Sequence, residues 1–331
     1  MTVRDTGERT LVRMLESLVR LMPGSRLSFD EDASDVPLEC GQSVVANVDT
    51  FVQSKDRLPH MTDAQMGRKT AVMVLSDIVA KGARPMATML SLCVPDDYPV
   101  NGALEAVRGF SDYCLKNGVH FLGGDLGSSS ELILTGVAIG TAYPDLIVTR
   151  KGSSVGDLVA VTGLFGLTSV GFHILLRNIP APAELRNSAL EAVYKPELSF
   201  GLVEQLSARR LITSCMDCSD GLGISLNIMS EQSGHEFLVE RLPVAPGVDT
   251  FAQETGLSLL DLVMNGGEEF LLVMTIPREQ LAAAQTISAE YRTPLHVIGR
   301  VCDSPARVRL VADGTETVIP ARGYDNFLEW S

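Results

Sequence analysis

Positive charge is scarce in this chain of 331 residues: 27 Lys and Arg stand against 41 Asp and Glu, a net charge of −14. That balance excludes a protein that grips nucleic acid by its phosphates, which needs a basic face. Long apolar runs are missing too. The longest stretch without Asp, Glu, Lys or Arg runs from Leu158 to Leu176, and it is broken by Gly163, Gly166, Gly171, Thr168, Ser169 and His173. A membrane span would be more uniformly apolar. A buried strand, a glycine turn and a helix are expected there instead. No secretory leader is expected, because Arg4, Asp5, Glu8 and Arg9 come early and no apolar core follows them. Both common phosphate loops are absent: there is no G-x-x-x-x-G-K-[ST], and no G-x-G-x-x-G follows a strand.

Cysteine pairs are few. Cys215 and Cys218 form one C-x-x-C, while Cys40, Cys93, Cys114 and Cys302 stand alone, so no second pair completes a zinc tetrahedron. Asp217 sits between the two thiols and opposes thiolate formation, the reverse of what a redox pair needs. Reduced thiols in a cytoplasmic protein are the expectation.

What is plentiful is acid at the ends of structural elements. The length suggests two domains, and the pattern breaks between Pro144 and Gly156, so domains of 1–145 and 146–331 are expected, each α/β. A helix is expected over Thr10–Met22, where Leu11, Met14, Leu15, Leu18, Val19 and Met22 recur at helical spacing. The stretch Phe29-Asp30-Glu31-Asp32-Ala33-Ser34-Asp35-Val36, with four acids in six residues, then reads as a solvated acidic loop or a cation site. Asp49 is expected at the end of a strand from Ser43 to Val48, and Asp125 at the end of one from Val119 to Leu122. Between them a helix over Met66–Gly82 is apolar on nearly every side and yet carries Asp77. A buried carboxylate costs several kcal/mol unless a cation, strong donors or a proton meets it. Asp217 and Asp220 precede the apolar helical pattern that begins at Leu222. Each reads as a cap or as a ligand, but only one residue can be the N-cap. Carboxylates in such number suit Mg²⁺, which bridges protein acids to substrate phosphates. In an acidic protein such ions would make a polyphosphate site possible.

In order along the chain, Asp49-Thr50, Leu75-Ser76-Asp77 with Gly82-Ala83-Arg84-Pro85, Gly123-Gly124-Asp125, Thr149-Arg150, Asp217-Cys218-Ser219-Asp220-Gly221-Leu222, Gly266-Gly267-Glu268 and Gly323-Tyr324-Asp325 resemble the thiamine-monophosphate kinase family. That family lies in the aminoimidazole ribonucleotide synthetase-like superfamily. The resemblance implies an N-terminal mixed sheet that forms a homodimer, a C-terminal α/β domain, and a cleft site completed at the dimer interface. It implies transfer of the ATP γ-phosphoryl group to thiamine monophosphate, with no protein base, since the phosphate acceptor is already mostly a dianion at neutral pH. It implies Mg²⁺ ligands at Asp32, Asp49, Asp77, Asp125, Asp217 and Asp220. ATP contacts fall at Gly124, Asp125, Arg150 and Ser219, and acceptor contacts at Asp56, Glu268 and Tyr324. Departures from the family pattern include Glu31, Asn47-Val48, Leu126 and Glu269-Phe270. A superfamily relative acting on another phosphoacceptor, or a catalytically silent nucleotide-binding subunit, are the alternative readings.

Overall fold

The computed structural model describes residues 2–312 and 314–323. Two sheets organise them. The first has the order β1-β2-β5-β3-β4, from strands β1 (Ser34–Pro37), β2 (Ser43–Val52), β3 (Arg84–Val94), β4 (His120–Ser128) and β5 (Ile133–Ala142). It is mixed: β3 and β4 run parallel, and the other pairs are antiparallel. The second has the order β12-β11-β8-β10-β6-β9-β7. Its strands are β6 (Leu158–Val161), β7 (Ser214–Asp217), β8 (Glu236–Val239), β9 (Leu272–Ile276), β10 (His296–Cys302), β11 (Arg307–Ala312) and β12 (Thr315–Val318).

Helix Asp63–Ala80 lies on one face of the first sheet. It starts at a reciprocal cap: the Thr62 hydroxyl accepts from the Gln65 backbone N–H, and the Gln65 side chain accepts from that of Thr62. Helix Val100–Lys116 packs on it at very short range. A Cβ added to Gly67 would lie 1.7 Å from the Ala106 carbonyl oxygen, and one added to Gly109 would lie 1.9 Å from that of Ala64. Only glycine permits that approach, and it seats helix Asp63–Ala80 deep in the core.

The second sheet is covered on both faces. Val159, Val161 and Phe237 pack on one side and Ala160, Cys215 and Met274 on the other. Its inner strands are therefore continuously apolar rather than alternating. The two cores interlock. Phe270, Phe172 and Val193, from the second half of the chain, are buried in the first core, while Ala80, from the first half, joins a core of the second. Helix Asp63–Ala80 thus ends where the halves meet.

Several expectations shift. The N-terminal helix covers only Glu8–Leu15, followed by a single tight turn at Glu16–Leu18. Met14, Leu18 and Met22 are 56%, 74% and 51% exposed, so no packing prolongs that helix to Met22. Part of the acidic loop is strand β1, and Asp35 holds it in place by accepting from the Leu27 N–H (2.8 Å) and the Ser43 hydroxyl (3.0 Å). Asp49 and Asp125 lie inside β2 and β4 rather than at strand ends. Those strands run on past the acids because backbone pairing continues: β2 pairs with β5 to Val52, and β4 with β3 to Ser128. All six cysteines are unpaired. Burial, with Asp217 adding to it, pushes the Cys215 thiol up to about 12 and drives Cys218 upward as well. No described helix is long and apolar enough to cross a membrane.

Candidate active site

Three elements bring three acids to one place. Asp32 comes from the segment before β1, Asp77 from the last turn of helix Asp63–Ala80, and Asp217 from the end of β7. Each offers a carboxylate oxygen, and these oxygens lie within 4.8 Å of one another. Asp217 is 1% exposed. Its Oδ2 accepts from the Ser76 hydroxyl at 2.6 Å, and its buried Oδ1 has no partner. Asp77 Oδ2 accepts from Asn47 Nδ2 at 2.5 Å. Burial raises the Asp77 carboxyl well above its ordinary range, and the charges of Asp217 and Asp49 raise it further, against Lys81. Asp217 is raised by burial too, against the Ser76 hydroxyl, Arg150, Lys81 and Ser219. Asp49 is pushed up to about 6, first by burial and then by Asp217 and Asp56. Asp220 adds its charge to the same field.

A set of hard oxygens under mutual repulsion, with one buried oxygen unsatisfied, fits a divalent cation of the Mg²⁺ type. Two side-chain cations already flank it. Lys81 Nζ lies 2.6 Å from Glu31 Oε2 and 3.1 Å from Asp32 Oδ2, and neither the Lys81 nor the Glu31 side chain is exposed. Arg150 Nε donates to Asp32 Oδ2 at 2.9 Å, and the Arg150 backbone N–H donates to Glu31 Oε1 at 3.1 Å. The acidic segment is therefore pinned both to the first half and to the start of the second.

The remaining expected residues are spread around this centre. Asp125 and Gly124 lie on edge strand β4, and Asp125 is exposed and outside the three-carboxylate group. A Cβ on Gly124 would come within 1.7 Å of the Leu90 carbonyl oxygen, so the close β3–β4 contact alone demands glycine there. Ser219 lies beside Asp217 and lowers its carboxyl, and its carbonyl accepts from the Glu268 N–H at 2.6 Å. Asp56 accepts from the Val52 N–H at 2.6 Å and closes its own short turn. Glu268 pairs with Lys69 across the junction of the two halves. Tyr324 lies outside the described residues.

Val48, one of the departures from the family pattern, points away from the acids and is 62% exposed. Its neighbour Asn47 faces them. Sequence reasoning missed three contributors, Asn47, Lys69 and Lys81, and read Glu31 only as part of the acidic stretch. Lys81 carried a usable signal, since it is a lysine directly after the apolar half of helix Asp63–Ala80, whereas Lys69 follows Arg68 in the helix's more polar half.

Residues 30–142 match the family model of the N-terminal domain of AIR synthase related proteins, and residues 154–311 match that of the C-terminal domain. The thiamine-monophosphate kinase of Nitrosopumilus maritimus is 33% identical over 301 residues, which is 90% of this chain and 94% of that protein. The enzyme of the same name from Mycobacterium tuberculosis is 31% identical over 333 residues, covering 96% of this chain and 94% of its own. The structure of AaThiL complexed with AMPPCP and TMP has a TM-score of 0.84 at 21% identity, covering 98% of this chain and 99% of that one, a likeness of fold. By these two domains and by identity along nearly its whole length, this chain belongs to the thiamine-monophosphate kinase family.

Proposed function

We propose that this chain transfers the γ-phosphoryl group of ATP directly to thiamine monophosphate, giving thiamine diphosphate and ADP. The observation that carries the reading is the convergence of Asp32, Asp77 and Asp217, from three separate elements, on one point at the junction of the two halves. Mg²⁺ would be held by these three with Asp49 and Asp220 beside them, and Asp125 would join from β4. Bound there, it would neutralise the polyphosphate and the charge that develops during transfer.

The chain's own groups then position. Arg150 is a fork of donors at the edge of the acidic group and suits a phosphate oxygen in place of Asp32. Ser219 and the backbone near Gly124 complete the nucleotide side. Asp56, Glu268 and Tyr324 would bound the acceptor. No side chain need take a proton, because the attacking phosphate oxygen is already largely ionised at neutral pH. Bringing it into line with the γ-phosphorus supplies most of what catalysis requires.

The same reading includes a division of the chain near residue 145, a cytoplasmic location and a homodimer built on the first sheet. Val48, Val137 and Met89 form one cross-strand row on the face opposite the helices, and Val48 and Met89 are 62% and 41% exposed. Leu122 on β4 is 63% exposed. Covering that face by a second copy would remove the patch from water.

The test is ADP release from purified protein with ATP and Mg²⁺, with each acceptor supplied in turn. Release that needs thiamine monophosphate supports the reading. Nucleotide binding without such release, or release driven equally by an unrelated phosphate ester, would replace it with another acceptor.

A further inference from the structure

The segment Glu268-Glu269-Phe270 is strained and triply anchored. Glu268 and Phe270 both adopt left-handed backbone conformations, with φ of 62° and 50°. A non-glycine residue is strained in that conformation, so the surroundings must impose it. Phe270 is 4% exposed and packs in the core of the first half. Glu269 accepts from the Gly166 N–H at 2.7 Å and caps helix Leu167–Arg177. Glu268 is held by Lys69, whose side chain is 2% exposed. Lys69 is itself fixed: its Nζ donates to the Asp56 carbonyl oxygen at 3.1 Å and lies 5.6 Å from the centre of the Phe51 ring. Only Oε1 of Glu268 meets the ammonium group. Oε2 is buried and has no hydrogen-bond partner. A buried carboxylate oxygen without a donor is costly, so a donor is expected to meet it.

We infer that Lys69 is a positioning residue for acceptor choice: it takes one oxygen of Glu268 and thereby presents the other to an amino group on the acceptor's heterocycle. The inference rests on the function proposed above, whose acceptor carries an aminopyrimidine. The carboxylate would favour an amino donor over an oxo group at the same ring position. A hydrogen bond to a charged group is worth at least about tenfold in such a choice. Lys69 also makes the consequence of Glu268→Gln directional. The ammonium group claims the amide oxygen, so the amide NH₂ stands where Oε2 was. A donor then replaces an acceptor.

The experiment compares kcat/KM for thiamine monophosphate and oxythiamine monophosphate, which has an oxygen in place of the pyrimidine amino group. It uses the full chain, with ATP affinity and Tm measured in parallel. Wild type should prefer the amino compound at least tenfold. Glu268→Gln should lose that preference or reverse it, with ATP affinity unchanged. Lys69→Met/Glu268→Gln, which removes the buried charge pair as a unit and frees the amide to turn, should show a ratio near one. Rates that fall equally for both compounds, with the wild-type ratio kept in Glu268→Gln, would make the pair a mere strut and overturn the inference. Wild-type inactivity on both compounds would instead overturn the function reading, and this inference with it.

Discussion

Replacing Asp77 by Asn separates the two tasks of the acidic centre. The carboxylate oxygens of Asp32, Asp77 and Asp217 lie within 4.8 Å of one another. At that distance and an effective dielectric near 20, two such charges repel by roughly 3 kcal/mol. Asp77 faces two of them, while Lys81 and Arg150 offset part of the total. Without divalent ions, Asp77→Asn should therefore gain about 1–2 kcal/mol of stability. The Asn47 donor is not stranded, since the oxygen of the new amide can still accept it. With Mg²⁺ and ATP the order should reverse. Wild type gains stability by binding, and the variant, lacking one of the carboxylates that would hold the ion, gains much less. Turnover should fall at least about 10²–10³-fold, the loss typical of removing one group that stabilises transition-state charge. Thermal melts in EDTA and in Mg²⁺ with ATP, beside ADP release, read all three effects. A variant less stable than wild type in EDTA, or one with wild-type turnover, would refute the reasoning.

Other outcomes follow from the same structure. Chelating divalent ions should abolish turnover and the stabilisation by ATP together, and Mg²⁺ should restore both; turnover that survives EDTA would remove the metal from the account. Val48→Arg, on the bare face of the first sheet, should convert a dimer to a monomer in sedimentation, and an unchanged sedimentation coefficient would move the interface elsewhere. Phe270→Ala should cost about 3–5 kcal/mol by denaturant melts, because the ring fills the other half's core; a loss below about 1 kcal/mol would mean the halves do not depend on it. Burial alone would raise the Glu236 carboxyl, but hydrogen bonds from Arg309 and Arg307 outweigh it and hold it below its ordinary value of 4.5. A depressed carboxylate stabilises the fold above that value and loses the contribution as pH falls through its folded value. Acid titration of stability should therefore be shallower in Glu236→Gln than in wild type, and parallel curves would contradict the assignment.

How far the sequence could be read depended on range. Asp77 was legible because its helix buries nearly every neighbour, so a carboxylate there demanded a partner. Asp217 was legible from its place before an apolar helix and beside a second acid. The cation pairs were not, because they join residues far apart in the chain: Lys81 meets Glu31 across 50 positions, and Lys69 meets Glu268 in the other half. Periodicity says which face a residue occupies, not what crosses to meet it. The N-terminal helix was over-extended for a related reason. Its apolar stripe has helical spacing, but spacing alone does not supply a surface to pack against. Asp49 and Asp125 looked like strand ends because an acid interrupts an apolar run. Their backbones go on pairing regardless.

Single-turnover transfer from γ-labelled ATP tests the central claim most directly, since the acidic centre is held to promote direct transfer between two phosphates. The label should appear in thiamine diphosphate, only when Mg²⁺ is present, one for each ADP formed, and never on the protein. Label found in free phosphate or bound to the chain, with none in thiamine diphosphate, would contradict the account.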